Sequence, residues 1–387
     1  MRGSENPRLS STPAPTAGEL GLLVAISTLA DMGPVRASAL LEGRSTAEAW
    51  EAILANSIRP EDPLRRCPGV NADLLTKWAD QARGMDPAAT LADHCEQGVR
   101  IMTPADSAWP QRLVGDPEPP MLLYARGIPD IAAGPCVAIV GTRRCTSYGR
   151  SVAAELGEGL ARAGVGVVSG LASGIDATAQ RAAFGAGGRV IGVVGSGLDR
   201  IYPRSSGDLW RRLGEGGLLL SECPLGTSPA AWRFPSRNRI VAALADVVVV
   251  VESASRGGSM YTVDSAVERG RPVMSVPGPI RSPASLGTNR LIAEGCAPVC
   301  DVGDVLAAVG MAVESGEAGG PDSVAGSQRA PSGDPAAVLD AIGWESQSLA
   351  GLCLATGLDP GQVTTALIRL ESEGLVCCDG GWWQRTG

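Results

Sequence analysis

Lysine is almost missing from this chain of 387 residues: Lys77, in "LLTKWAD", is the single copy. A G-x-x-x-x-G-K-[ST] phosphate loop cannot form around it, which excludes P-loop ATPase chemistry. Histidine is equally scarce. His94, in "LADHCEQG", stands in a segment with no other catalytic signature, so a Ser/His/Asp triad or a His-rich metal site has no basis and His94 reads as a surface or packing residue. No G-x-G-x-x-G follows an apolar run, so the standard dinucleotide fingerprint is also missing. Apolar runs such as Val247–Val251 are far shorter than the ~20 residues that span a bilayer, and no membrane segment is expected. Aromatic residues make up 4% of the chain, with two Phe, while Gly (51) and Pro (28) are plentiful; this favours a loop-rich α/β protein over a β-sandwich.

Ten cysteines are present, but they are scattered and none gives C-x-x-C spacing: Cys296 and Cys300 are too far apart, and Cys377 and Cys378 are adjacent. The chain opens on a polar Ser/Pro/Thr stretch, Glu5 to Thr16, instead of an apolar signal segment. Reduced thiols in a cytoplasmic protein, with no structural zinc and no cofactor, are the expectation.

Net charge is −8, from 33 basic and 41 acidic residues, which argues against a generally basic coat. The total hides an asymmetry. Between Gly134 and Gly310 there are 18 Arg against 14 Asp plus Glu, a balance of +4, while the remainder carries −12. Any polyanion is therefore expected to bind in the middle of the chain.

Residues 1–18 read as a disordered arm and 19–87 as a small helical domain, in which Met32-Gly33-Pro34 breaks two helices. A helix-hairpin-helix (SAM-like) turn offering N–H groups to a phosphate is one reading of "LADMGPVRASALL". With Asp31 and Glu42 beside a lone Arg36, a packing domain is preferred. Residues 88–133 read as a connector. From 134 to 310 the runs "CVAIVG", "VGVVSG", "RVIGVVG", "GLLLSE", "DVVVVVE" and "RPVMSVPG" alternate with helical stretches. Runs apolar at every position are strands buried on both faces, so the fold class is α/β, a Rossmann-like, doubly wound, mostly parallel sheet. A Gly/Ser/Pro-rich linker, 311–335, leads to 336–387, read as three helices and a hairpin turning at Asp379-Gly380-Gly381, the order of a winged helix. Its acidic balance makes phosphate attraction poor and favours a protein-contact or vestigial role.

In a parallel sheet ligands collect where the strands end and the next helices begin. That edge carries Gly141-Thr142-Arg143, Ser169-Gly170, Gly195-Ser196-Gly197, Gly257-Gly258-Ser259 and Pro277-Gly278, five loops that we expect to expose backbone N–H groups to anions. Arg233, Arg237 and Arg239 stand at the entrance to a helix, with Ser236 as its expected N-cap. Arg237 precedes Ile240 and Val241 by three and four residues and is expected to lean over the crevice; Arg239 faces elsewhere or pairs with an acid. Cations at a helix start are disfavoured by roughly 0.3–1 kcal/mol each unless an anion is bound there. The competing reading pairs these arginines with Glu222, Asp246 or Glu252. Phe234 beside them can stack a base of a single strand or serve as a buried plug. No carboxylate pair stands out among Asp176, Asp199, Glu222 and Glu252, so no catalytic residue is assigned.

The motifs "VAIVGTRRCTSYGR", "VVSGLASGIDATAQRAAF", "GLDRIYP", "FPSRNRIVAALADVVVVVESASRGGSMYTVDSAVERGRPVMSVPGP" and "GTNRLIAEGCAPV", over roughly residues 90 to 310, resemble the DNA-processing protein A (Smf) family. The resemblance implies a non-enzymatic, bacterial, cytoplasmic protein that binds single-stranded DNA. It also implies a homodimer formed through the Rossmann-like domain, protection of incoming DNA during natural transformation, and help in loading RecA recombinase. The family's Gly-Ser/Thr-Arg motif falls on Gly141, Thr142 and Arg143, and its Phe-Pro-x-Arg-Asn-Arg segment on Phe234, Pro235, Arg237, Asn238 and Arg239. Pro235 aside, these and the loop residues Ser169, Gly170, Gly257, Gly258 and Ser259 make up the expected DNA-binding set of twelve. The chain departs from the family at Ser173 and Gln180, where Arg and His are frequent, and at Met260-Tyr261, where an aliphatic pair is usual. The alternative is a nucleotide-binding enzyme that hydrolyses the N-glycosidic bond of a nucleoside monophosphate, using "RGGSMYT" and Glu268.

Overall fold

A computed structural model describes residues 14–311, 333–342, 347–379 and 381–385. The described residues fall into two compact units: one holds 152–311 and those before 146, the other 146–151 and those after 311.

Five helices open the first unit: α1 (Ala17–Thr28), α2 (Pro34–Leu41), α3 (Thr46–Leu54), α4 (Ala72–Arg83) and α5 (Pro87–Glu96). α1 begins at a capping box. The Thr16 hydroxyl accepts from the Glu19 N–H and the Glu19 carboxylate accepts from the Thr16 N–H, so helical order starts inside the stretch expected to be a disordered arm. Residues 1–13 of that stretch lie outside the described residues. Pro34 occupies the first position of α2, where no N–H is needed. α1 to α4, with the 3-10 turn Pro63–Arg66, bury Ile26, Leu40, Ile53, Leu64 and Trp78 in one core. Arg36 donates to the carbonyls of Asp31 and Pro68, so it braces the α1–α2 turn from within.

The sheet contains β1 (Arg100–Met102), β2 (Leu123–Gly127), β3 (Cys136–Val140), β4 (Gly166–Ser169), β5 (Val190–Val194), β6 (Leu218–Ser221), β7 (Val247–Val250), β8 (Val273–Ser275) and β9 (Ala297–Pro298). Their spatial order is β1-β2-β6-β5-β4-β3-β7-β8-β9. β3 to β9 pair in parallel, and β1 and β2 add an antiparallel edge through β6. β3 to β8 are the six runs picked out in the sequence, and every residue of β3, β5 and β7 is buried. The segment expected as a connector, 88–133, thus carries two strands of the sheet. β1 is three residues long and β2 includes Arg126, so neither makes an apolar run.

The chain steps outward from β3 through β4 and β5 to β6, then returns to lay β7 on the other side of β3. This reversal opens a crevice beyond the carboxyl ends of β3, β4 and β7. The parallel strands are joined by α6 (Ser147–Arg162), α7 (Ile175–Gly185), α8 (Gly207–Gly216), α9 (Arg233–Leu244), α10 (Met260–Glu268) and α11 (Leu286–Ala293), and α12 (Val302–Ala308) follows β9.

After residue 311 come α13 (Asp334–Ile342), β10 (Gln347–Ser348), α14 (Leu349–Thr356), α15 (Pro360–Ser372), β11 (Val376–Asp379) and β12 (Trp382–Arg385). Three helices over Val338, Leu352, Val363, Leu367 and Leu370, with a β10-β12-β11 sheet, form a winged helix. The short strand β10 was not foreseen. Of the expected hairpin turn, Gly380 lies outside the described residues.

Candidate nucleic-acid interface

The crevice at the switch point holds a cavity of about 630 Å³. Ten of the twelve expected residues line it: Gly141, Thr142 and Arg143 after β3, Gly170 after β4, Phe234, Arg237 and Asn238 on α9, and Gly257, Gly258 and Ser259 before α10. Ser169 and Arg239 do not. Ser169 is fully buried and its hydroxyl donates to the Ile139 carbonyl at 2.6 Å, which removes it from any ligand.

The glycine loops do something other than expected. The Gly141 and Gly170 N–H groups donate to the two oxygens of Asp176, at 3.3 and 3.1 Å, and the Thr142 N–H to the Glu252 carbonyl at 2.8 Å. Gly197, Gly257 and Gly278 likewise donate within the protein, so each of the five loops has a glycine N–H already engaged. Close packing is what requires glycine here. A Cβ on Gly141 would lie 2.6 Å from Ile175, and one on Gly170 would lie 2.4 Å from the Arg237 guanidinium.

Asp176, near the start of α7, is therefore the hub of the rim. Burial pushes its carboxyl above the usual carboxylate range, against the pull of the Arg237 charge and the two N–H groups. Arg237 is 7% exposed. Its guanidinium donates to the carbonyls of Gly170, at 2.9 Å, and Val193, and burial lowers its pKa to about 10, helped by the nearby Arg143 charge. It floors the trench and does not lean over it. Arg239, 5% exposed, donates to the carboxylate of Glu222 and the carbonyl of Glu118, as the competing reading had it. Asp246 instead receives Arg112 through two bonds, at 2.8 and 2.6 Å.

Helix α9 also begins earlier than expected. The Arg233 N–H donates to Ala230, Trp232 takes the N-cap position without a side-chain bond, and Ser236 sits inside the first turn. Pro235 is tolerated there because first-turn N–H groups need no helical partner.

The exposed charge comes from elsewhere. Arg143 and Arg144 are exposed and have no carboxylate within ion-pair distance among the described residues. The Arg143 guanidinium lies 5.3 Å from the centroid of Phe234, and Tyr202 stacks on Phe234 at 5.2 Å with 23° between the planes. Phe234 is neither a bare platform nor a buried plug. It is the inner member of a stack whose open end is Tyr202, 39% exposed. Arg144, Tyr202 and Asp176 were missed as site residues; Tyr202 lay in "GLDRIYP", far from Phe234 in sequence.

Glu268, cast as a catalyst in the enzyme reading, ends α10, faces Arg269 at 3.6 Å and does not line the trench. Among the described residues no three His, Cys, Asp or Glu side chains cluster as metal ligands, and no helix is long and apolar enough to cross a membrane. His94 is buried: Nδ1 donates to the Thr90 carbonyl at 2.8 Å and Nε2 accepts from the Leu225 N–H at 3.1 Å.

Fold and crevice define a class: Rossmann-like α/β proteins with an arginine-bearing trench at the switch point, here with a winged helix in the same chain. The chain belongs to the DNA processing protein A (DprA/Smf) family. The model for DNA recombination-mediator protein A matches residues 100–310, and that for the DprA winged helix domain matches 324–381. The putative DNA processing protein DprA of Mycobacterium tuberculosis is 37% identical over 379 residues, 88% of this chain and 94% of that protein. DNA processing protein DprA of Bacillus subtilis is 38% identical over 217 residues, 56% of this chain and 73% of that one. The X-ray structure of DprA from Streptococcus pneumoniae aligns with a TM-score of 0.63 at 32% identity, covering 76% of this chain and 97% of that chain.

Proposed function

We propose that this recombination-mediator family member binds single-stranded DNA along the trench, with phosphates meeting Arg143 and Arg144 and bases stacking from Tyr202. The observation that carries the reading is the pair of exposed arginines without acidic partners beside the Phe234–Tyr202 stack. Arginines without counter-ions attract phosphate, and rings stack any base without regard to sequence. Asn238 and the turn Gly257-Gly258-Ser259 complete the wall opposite Arg143, with Asn238 Nδ2 bonded to the Gly258 carbonyl at 3.4 Å. We assign no catalytic residue and no cofactor, and read the chain as a cytoplasmic homodimer that protects incoming DNA and hands it to RecA recombinase.

A filter-binding titration of single-strand against duplex DNA at several salt concentrations tests the core of this. Arg143→Ala is expected to weaken single-strand binding about tenfold and to lower the log–log salt slope by roughly 0.7. Unchanged affinity and slope refute the trench. Removing residues 336–387 is expected to leave single-strand affinity nearly intact. Release of free base from nucleoside monophosphates by purified protein would favour the hydrolase reading instead.

A further inference from the structure

Trp232, at the N-cap of α9, is 52% exposed. Two positions separate it from Phe234, about 200° of helix rotation, so the two rings leave the start of α9 on opposite sides. The Arg233 guanidinium lies 4.3 Å from the Trp232 centroid, repeating the cation-on-ring pairing of Arg143 with Phe234. Arg233 has no ion pair among the described residues. Its Nη1 reaches the Cys223 sulfur at 3.4 Å, which leaves the guanidinium without a carboxylate partner among the described residues. Gly195 and Arg237 border both the trench-side space under Phe234 and the cavity beneath Trp232 and Arg233. The far wall of that cavity is Gly33-Pro34, at the start of α2. Glu222 borders it too, but its carboxylate is held by Arg239.

We propose that Trp232 and Arg233 form a second nucleotide station on the same single strand, which leaves the trench, crosses the start of α9 and runs toward the α1–α2 turn. A base stacks on the indole, and a phosphate meets Arg233. The occupant is single-stranded because a base paired inside a duplex presents no open face to a ring. Continuity with the trench and the repeated ring-and-guanidinium pair argue for DNA over a protein partner. The station rests on the single-strand reading of the trench.

The test is fluorescence anisotropy with labelled oligothymidylates of about six and about twenty nucleotides, lengths that bracket common single-strand site sizes. Trp232→Ala and Arg233→Gln are each expected to lower affinity for the longer strand about tenfold and to leave the shorter one unchanged, while Trp232→Phe restores most of the loss. The exposure of Trp232 keeps the fold out of the comparison, and a thermal melt matching wild type verifies this. Wild-type affinity of Trp232→Ala for the longer strand, with Arg143→Ala still defective on both, overturns the station and leaves the trench standing. An equal loss on both lengths places Trp232 inside the trench and also overturns the station. If Arg143→Ala binds both strands as wild type does, trench and station fall together.

Discussion

The arginines of α9 and those of the loops around it have the same side chain and opposite situations. Arg237 and Arg239 leave α9 on different sides, and both are buried within the protein, as Ile240 and Val241 are. A guanidinium buried there has to find acceptors inside the protein, and these two find the carbonyls of Gly170, Val193 and Glu118 and the carboxylate of Glu222. Arg143 and Arg144 follow β3 on a loop, and Arg233 opens α9 before the helix enters the core. None of the three has a carboxylate partner among the described residues. Burial decides which arginine builds the trench and which is left to meet a ligand.

Removing Arg239 should break that contrast most forcefully. Arg239→Ala leaves the Glu222 carboxylate buried and unpaired, a loss of about 3–5 kcal/mol that urea denaturation would read. Burial already holds the Glu222 carboxyl above its ordinary value of 4.5. A raised folded-state pKa gives stability that is complete below the unfolded value and lost as pH rises through the folded one. The deficit of Arg239→Ala is therefore smallest near pH 4.5 and grows toward neutrality. A deficit independent of pH would show that Glu222 does not carry the effect.

Arg237→Ala comes next, with an expected loss of about 2–3 kcal/mol, because the carbonyls of Gly170 and Val193 lose their donor. Single-strand affinity falls as well, through a deformed rim. Stability at the wild-type level in the same denaturation series would mean that water replaces the guanidinium and that Arg237 belongs with the loop arginines.

The double variant Arg143→Ala with Arg144→Ala sharpens the contrast from the other side. Both residues are exposed, so the change in unfolding free energy stays within about 0.5 kcal/mol, while single-strand affinity drops well beyond the single variant. The smallest effect is expected at Tyr202, where replacement by Phe keeps the ring and leaves affinity unchanged. Replacement by Ala costs about 1–3 kcal/mol of binding. Equal losses in both would make the hydroxyl the important group.

Much of the fold was legible because burial on both faces writes itself as uninterrupted apolar runs. That is how β3 to β8 could be placed and the switch point located. β1 and β2 were hidden, since a three-residue edge strand and one containing Arg126 make no such run. The start of α9 was misplaced because Ser236 resembles a cap, whereas a turn closing on Ala230 begins the helix four residues sooner.

Local pattern thus settled the α/β class, the winged helix and the edge of the sheet where chemistry gathers, because each follows from residues close together in the chain. Which arginines face that edge, which N–H groups Asp176 takes, and that Tyr202 meets Phe234 depended on strands and loops far apart in sequence. A guanidinium looks the same on paper whether it meets a carbonyl or solvent, and only packing in three dimensions tells the two apart.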